Sequence, residues 1–184
     1  VPAGAKVSVV CDRQEYFLGE NVLLHFTLEN TNDQPFEADF GGDYRGATRA
    51  LRFKVTATDE SGRMADDPDT SEFCGGGFGG PRKFNPGDKF VQSLPLMRYR
   101  RILQPGRYTI RVSHDYGWKE GERKRPVVEI SLVFRMPTPD EAESVVARME
   151  KQPLSPNNTY GERAQNYADF TTLCHPIYLR PLLQ

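Results

Sequence analysis

The run Leu103-Gln104-Pro105-Gly106-Arg107-Tyr108-Thr109-Ile110-Arg111-Val112 decides the fold. Pro-Gly forces a corner, and strict alternation starts directly after it, with Tyr108, Ile110 and Val112 on one parity and Arg107, Thr109 and Arg111 on the other. A Tyr two residues past a corner can reach back and bond the corner's backbone, so the run reads as a strand entered through a tyrosine corner. The plainer alternative is an ordinary turn followed by a strand with a buried Tyr.

Working outward, the same period of two recurs from residue 6 to residue 135. Val7, Val9 and Cys11 share a parity; Val22, Leu24, Phe26 and Leu28 oppose His25, Thr27 and Glu29; Phe36, Ala38 and Phe40 continue the theme. Leu51, Phe53, Val55 and Ala57 form another apolar set, a strand is expected over Lys89 to Leu96, and Val128, Ile130, Leu132 and Phe134 close the series. Seven short half-buried strands with turn residues between them predict a mainly β chain, a seven-stranded antiparallel sandwich of two sheets.

At Met136 the period changes. Thr138-Pro139-Asp140-Glu141 supplies a hydroxyl cap, a Pro at the first helical position and a Glu three residues after the cap, a complete capping box. Ala142, Val145, Val146 and Met149 then recur at helical spacing until Lys151-Gln152-Pro153 ends the run. Weaker helical material follows around Glu162 to Tyr167 and from His175 onward. The chain therefore divides into a sandwich over residues 1–136 and a C-terminal α-helical appendage over residues 137–184. Ile177 to Leu183 stops with its apolar side unfinished, and the expectation is that the appendage is truncated there.

Length and charge bound the function. The 184 residues suit one domain plus an appendage, and 24 basic against 25 acidic side chains lack the excess that a nucleic-acid binder carries. No apolar run approaches the roughly 20 residues of a membrane helix, and 38% hydrophobic with 11% aromatic residues is too rich for a disordered chain.

The opening Asp12-Arg13-Gln14-Glu15-Tyr16-Phe17-Leu18-Gly19-Glu20-Asn21-Val22, with its Tyr-x-x-Gly-Glu-x-Val turn, leads into a strand ending Glu29-Asn30-Thr31-Asn32. Together with the Asn85-Pro86-Gly87 and Leu103-x-Pro-Gly-x-Tyr108 corners, it resembles the Ig-like and macroglobulin-like β-sandwich domains of bacterial exported proteins, over residues 6–135. The layout is similar to a bacterial proteinase-inhibitor family of this fold. Asp169-Phe170 and Leu173-Cys174-His175-Pro176 resemble the entry to a HEAT-like helical region. These motifs specify backbone turns, so the resemblance implies a fold and an extracytoplasmic setting more than an activity. In an exported protein a bridge from Cys11 to Cys74 would staple the glycine-rich loop to the first strand; buried unpaired Cys is the competing reading.

Several segments are candidates for function. Gly41-Gly42-Asp43-Tyr44-Arg45-Gly46 and His114-Asp115-Tyr116-Gly117-Trp118-Lys119-Glu120-Gly121 mix aromatics, charges and glycines as contact loops do, which nominates Tyr44, Arg45, Tyr116 and Trp118 for recognition. The competing reading folds Trp118 and Tyr44 back as plugs over the sandwich ends. Arg63 to Lys83 is long for a strand connection and holds Cys74-Gly75-Gly76-Gly77-Phe78-Gly79-Gly80, with Phe78 as an anchor and no Lys-Ser or Lys-Thr for a phosphate loop. Asp66-Asp67-Pro68-Asp69-Thr70-Ser71-Glu72 crowds oxygen ligands as calcium would require but breaks the EF-hand pattern, and an acidic solvated turn is the simpler account. His25, His114 and His175 are scattered, so no nucleophile–base pair is expected. The Arg98 to Arg125 basic cluster, interleaved with Glu120, Glu122 and Glu129, reads as a solvated face. The sequence thus predicts a non-catalytic exported module for protein–protein interaction or domain spacing, without cofactor. The alternative is a proteinase inhibitor that presents residues 63–83 to a protease cleft.

Overall fold

The computed structural model describes residues 4–41, 47, 49–70, 79–117, 126–151, 173 and 175–183. The chain is mainly β. Among the described residues nine strands run in order: β1 (Ala5–Val10), β2 (Glu15–Phe17), β3 (Leu23–Asn30), β4 (Phe36–Ala38), β5 (Phe53–Asp59), β6 (Arg82–Phe84), β7 (Lys89–Pro95), β8 (Gly106–His114) and β9 (Val127–Arg135). They form a three-stranded sheet β1-β3-β7, a four-stranded sheet β2-β9-β8-β5 and the small pair β4-β6. This corrects the expectation of seven antiparallel strands: β2 lies parallel to β9, and the sheets are mixed. β2 and β6 span three residues each, too few for alternation to register as a pattern.

The two larger sheets share one interior. Leu24, Phe26 and Leu28 of β3 and Leu94 of β7 meet Val55 and Ala57 of β5, Ile110 and Val112 of β8, and Leu132 and Phe134 of β9, all buried. Phe26 and Phe53 touch across the layers edge to face, with centroids 5.0 Å apart. Each such side chain removed from water contributes about 1.5–3 kcal/mol, which ties the alternating parity to the layered fold. Leu51 departs from the expected strand: it sits in the turn before β5 and is exposed.

The corner read from the sequence forms. The Tyr108 hydroxyl donates to the Gln104 carbonyl at 3.1 Å, and Tyr108 itself is buried. The Tyr-x-x-Gly-Glu motif is also a turn, closed by Glu20 N–H to the Phe17 carbonyl at 3.1 Å, with Gly19 at φ 82° where a side chain would be strained. Its Glu20 carboxylate is buried and serves as a hub. One oxygen accepts from the Phe17 N–H at 2.7 Å, and the other accepts from Arg13 at 3.0 Å and from Arg148. A carboxylate inside a protein needs such partners to offset its lost hydration.

Arg148 belongs to helix α1 (Pro139–Glu150), which begins at the predicted capping box: Thr138 Oγ1 accepts from the Glu141 N–H, and Glu141 accepts from the Thr138 N–H at 2.9 Å. α1 packs Ala142, Val145, Val146 and Met149 around Tyr178, Leu173 and Phe17, in a cluster separate from the sandwich interior. The Tyr178 hydroxyl donates to the Leu18 carbonyl at 2.6 Å, and Arg135 bridges Glu15 and Glu141 at 2.7–2.9 Å. The helical segment is thus clamped to the β2 end of the sandwich. The HEAT-like expectation finds no support: the last described residues form a 3-10 turn (Pro176–Tyr178) and a single helical turn (Leu179–Leu182). Residues 162–167 lie outside the described residues.

Candidate functional site: two loop bases joined at one end of the sandwich

Asp39 follows β4 and Asp115 follows β8, far apart in sequence. Arg52 joins them, with one guanidinium nitrogen 2.9 Å from Asp39 and the other 2.9 Å from Asp115. Each aspartate also accepts from the backbone two residues on, Gly41 N–H and Gly117 N–H respectively, both at 2.8 Å. The Asp39 N–H donates to the Tyr116 carbonyl at 2.9 Å, so the two loop bases are hydrogen-bonded to each other. Gly117, at φ 69°, lies so close that a Cβ there would sit 3.0 Å from the Asp39 Cβ. The loops that carry Tyr44, Arg45 and Trp118 therefore leave the sandwich side by side; those three residues lie outside the described residues.

Tyr116 takes the plug role rather than the contact role expected of it. It is 1% exposed, adopts φ 54°, and packs edge-on against Phe40 at 6.0 Å. A bulky residue in the left-handed region carries strain that the surroundings must offset. The main offset is His114, buried beneath, whose Nδ1 accepts from the Tyr116 N–H at 2.8 Å. His114 also meets Phe53 at 4.5 Å and Phe40 at 5.6 Å, ring centre to ring centre. Burial pushes the His114 pKa down to about 4; Asp115 pulls the other way and Arg52 adds to the fall. A neutral imidazole is therefore part of the rigid floor beneath the loops.

The first part of the long 63–83 segment is fixed as well. Arg49 grips both Asp67 oxygens at 2.6 and 3.0 Å and also donates to the carbonyls of Arg98 and Asp69. Arg100 donates to the Val55 and Ala65 carbonyls. Burial raises the Asp67 pKa, but the Arg49 hydrogen bond, the Asp69 N–H and the charges of Arg49 and Arg100 together more than reverse it, so Asp67 is held below the usual carboxylate range. Its oxygens are taken by Arg49 rather than free for calcium. Among the described residues no group of three acidic, His or Cys side chains could hold a metal ion, and no helix is long and apolar enough to cross a membrane. Phe78 and Cys74 lie outside the described residues. The candidate Cys11–Cys74 bridge falls with Cys74 outside the described residues; burial, then Asp12, push the Cys11 pKa up to about 11, away from reactivity.

One further grouping was invisible in sequence. On the outer face of β3, His25 Nδ1 lies 2.8 Å from Ser93 Oγ and His25 Nε2 lies 3.2 Å from Asp12. Asp12 is largely exposed, and the contacts tie His25 of β3 to Ser93 of β7 and to the chain just past β1. The expected solvated basic face is present in part, as cross-strand pairing of Arg111 with Glu129 at 2.8 Å. The Arg52 junction itself left a faint trace, an aspartate two residues before a glycine in each loop.

What these elements define is a β-sandwich scaffold with paired loop bases at one end and a clamped helix at β2. No known protein family and no curated protein matches the chain. Among solved structures it is similar to a β-glucosidase from Erythrobacter marinus (11% identity, 71% of this chain and 16% of that one, TM-score 0.38). It is also similar to the alkylpurine DNA glycosylase AlkC of Pseudomonas fluorescens bound to DNA (15%, 72% and 31%, TM-score 0.38). A third is a CARDB domain from Pyrococcus furiosus in complex with di-metal ions (10%, 72% and 96%, TM-score 0.36). The chain spans only 16% and 31% of the two enzymes, and overlaps this loose carry no argument about activity.

Proposed function

We propose that this chain is a non-catalytic, Ig-like module of an exported bacterial protein that recognises a protein partner through the loops at its Arg52 end while holding neighbouring segments at a fixed spacing. The observation that carries the reading is the Asp39–Arg52–Asp115 junction, which makes two aromatic-bearing loops leave a rigid base together. Rigid presentation lowers the ordering cost of binding, and Tyr, Trp and Arg are the side chains that most often anchor interfaces. The Glu20 clamp on α1 supports the spacing role, since it makes the exit from the sandwich stiff.

The test is affinity capture from the envelope fraction of the source organism, with the intact chain against a Tyr44→Ala, Arg45→Ala, Trp118→Ala variant whose thermal midpoint is unchanged. The reading expects a partner whose recovery falls at least about tenfold in the variant. Equal recovery by both would sink it. The inhibitor reading draws on a different observation: Arg49 and Arg100 brace residues 63–70 as a stem, as a presented loop requires. Replacing residues 72–81 by a short turn abolishes protease inhibition under that reading and leaves the first unaffected.

A further inference from the structure

The borders of the two larger sheets are not equally covered. β5 is closed by the chain that follows it, with the Ala65 N–H donating to the Ala57 carbonyl at 2.8 Å and Arg100 donating to the Val55 carbonyl at 2.9 Å. β2 is backed by α1 through Phe17, and β1 runs beside β9. Among the described residues β7 has no such cover. Its ladder with β3 has hydrogen bonds at both ends on even-numbered residues: Leu96 N–H to the Val22 carbonyl at 2.8 Å and Asn30 N–H to the Asp88 carbonyl at 3.0 Å. The register between them is continuous, from Leu23 opposite Pro95 to Glu29 opposite Lys89. Antiparallel bonding alternates, so the N–H and C=O groups of Lys89, Val91 and Ser93 point away from β3. Among the described residues no backbone hydrogen bond crosses that border.

Unpaired borders invite another strand, and proteins blunt them with charge, proline or a bulge. Here the blunting is slight. Lys89 is neutralised by Glu29 at 3.2 Å, Pro95 only ends the strand, and Val91 at its centre is 59% exposed. The border is also self-complementary. About a two-fold axis at Val91, Val91 faces Val91 of a second copy, and Lys89 of each copy faces Ser93 of the other. No like charges meet. The polar row Asp12–His25–Ser93 then continues into Lys89 and Glu29 of the second copy.

We propose that β7 pairs antiparallel with β7 of a second copy, which joins the two three-stranded sheets into one continuous sheet. Three facing pairs supply about six backbone hydrogen bonds. The contact is narrow for a protein interface, so the dimer is weak and concentration-dependent, with a Kd on the order of 100 µM.

Sedimentation equilibrium of the full chain from about 10 µM to about 1 mM brackets such weak association. The proposal expects a monomer–dimer equilibrium that Val91→Glu weakens at least about tenfold, because two carboxylates then oppose each other across the axis. Ser93→Glu, facing Lys89 of the second copy, is expected to tighten it several-fold. Ser8→Glu, in the same cross-strand row but at the β1 border, leaves it unchanged. If Val91→Glu lowers the thermal midpoint, Ser93→Lys, which opposes Lys89 with a like charge, replaces it as the weakening variant. A chain that stays monomeric over the whole range overturns the proposal, even if foreign peptides add to β7. So does a dimer indifferent to both weakening variants. These readouts do not involve the loops at the Arg52 end, so this proposal and the recognition reading fail separately.

Discussion

Arg148, near the C-terminal end of α1, donates to the buried carboxylate of Glu20, 128 residues earlier in the chain. That contact converts a turn motif of the sandwich into the anchor of the helical segment. Glu20 answers to the turn through the Phe17 N–H and to the helix through Arg148, so one side chain couples two elements. Replacing Glu20 with Ala leaves the Phe17 N–H without its acceptor and both arginines without their partner. The expected loss is about 2–3 kcal/mol, read by urea denaturation. Arg148→Ala, by contrast, is expected to accelerate proteolysis within residues 139–151 while the sandwich keeps its unfolding midpoint.

The tyrosine corner is worth one hydrogen bond. Tyr108→Phe keeps the buried ring and deletes the bond to Gln104, with an expected cost of about 1 kcal/mol by equilibrium denaturation and no change in the far-UV spectrum.

At the other end, Arg52→Met leaves Asp39 and Asp115 facing each other uncompensated. Hydrogen exchange at residues 39–41 and 115–117 is expected to speed up, and stability to fall by about 1–2 kcal/mol. Unchanged protection there would show that Arg52 is not the latch.

His114 gives the fold a pH dependence of known sign. Its folded pKa of about 4 lies below the ordinary 6.5, so the unfolded chain binds the proton more readily and the neutral ring favours the fold. The contribution is complete above pH 6.5, declines as pH falls, and is gone below about 4, up to about 3 kcal/mol in all. Arg52, Asp39 and Asp115 face the ring and are replaced by nothing in the test. His114→Phe is expected to flatten the thermal midpoint between those limits; a persistent slope would assign the effect elsewhere.

Glu141 acts at lower pH. Hydrogen bonds from Arg135, then from the Thr138 N–H, hold its pKa at about 2 against an ordinary 4.5. Its support for the α1 start is complete above pH 4.5 and is lost as pH falls toward 2. In Glu141→Gln that acid-dependent step in the unfolding midpoint is expected to disappear.

The strand parities of β1, β3, β5, β8 and β9, the Tyr108 corner, the Gly19 turn and the capped start of α1 were legible because each is written within a few neighbouring residues. Alternation, turn chemistry and capping are local physics, and the buried parity follows directly from the cost of leaving Val, Leu, Ile and Phe in water. The short strands β2 and β6 were not, since three residues carry no period. Tyr116 was misread for a related reason: its loop composition resembles a contact surface, whereas its burial depends on His114 and Phe40 closing around it.

The amino-acid sequence by itself therefore determined that this is a mainly β chain with alternating faces and a helix starting after Thr138. Only the tertiary structure decided which distant charges meet: Glu20 with Arg148, Arg52 with Asp39 and Asp115, Arg49 with Asp67. The physical reason is range. Local propensity is set by adjacent backbone and side-chain sterics, whereas an ion pair between distant residues exists only where folding brings both partners within hydrogen-bond reach.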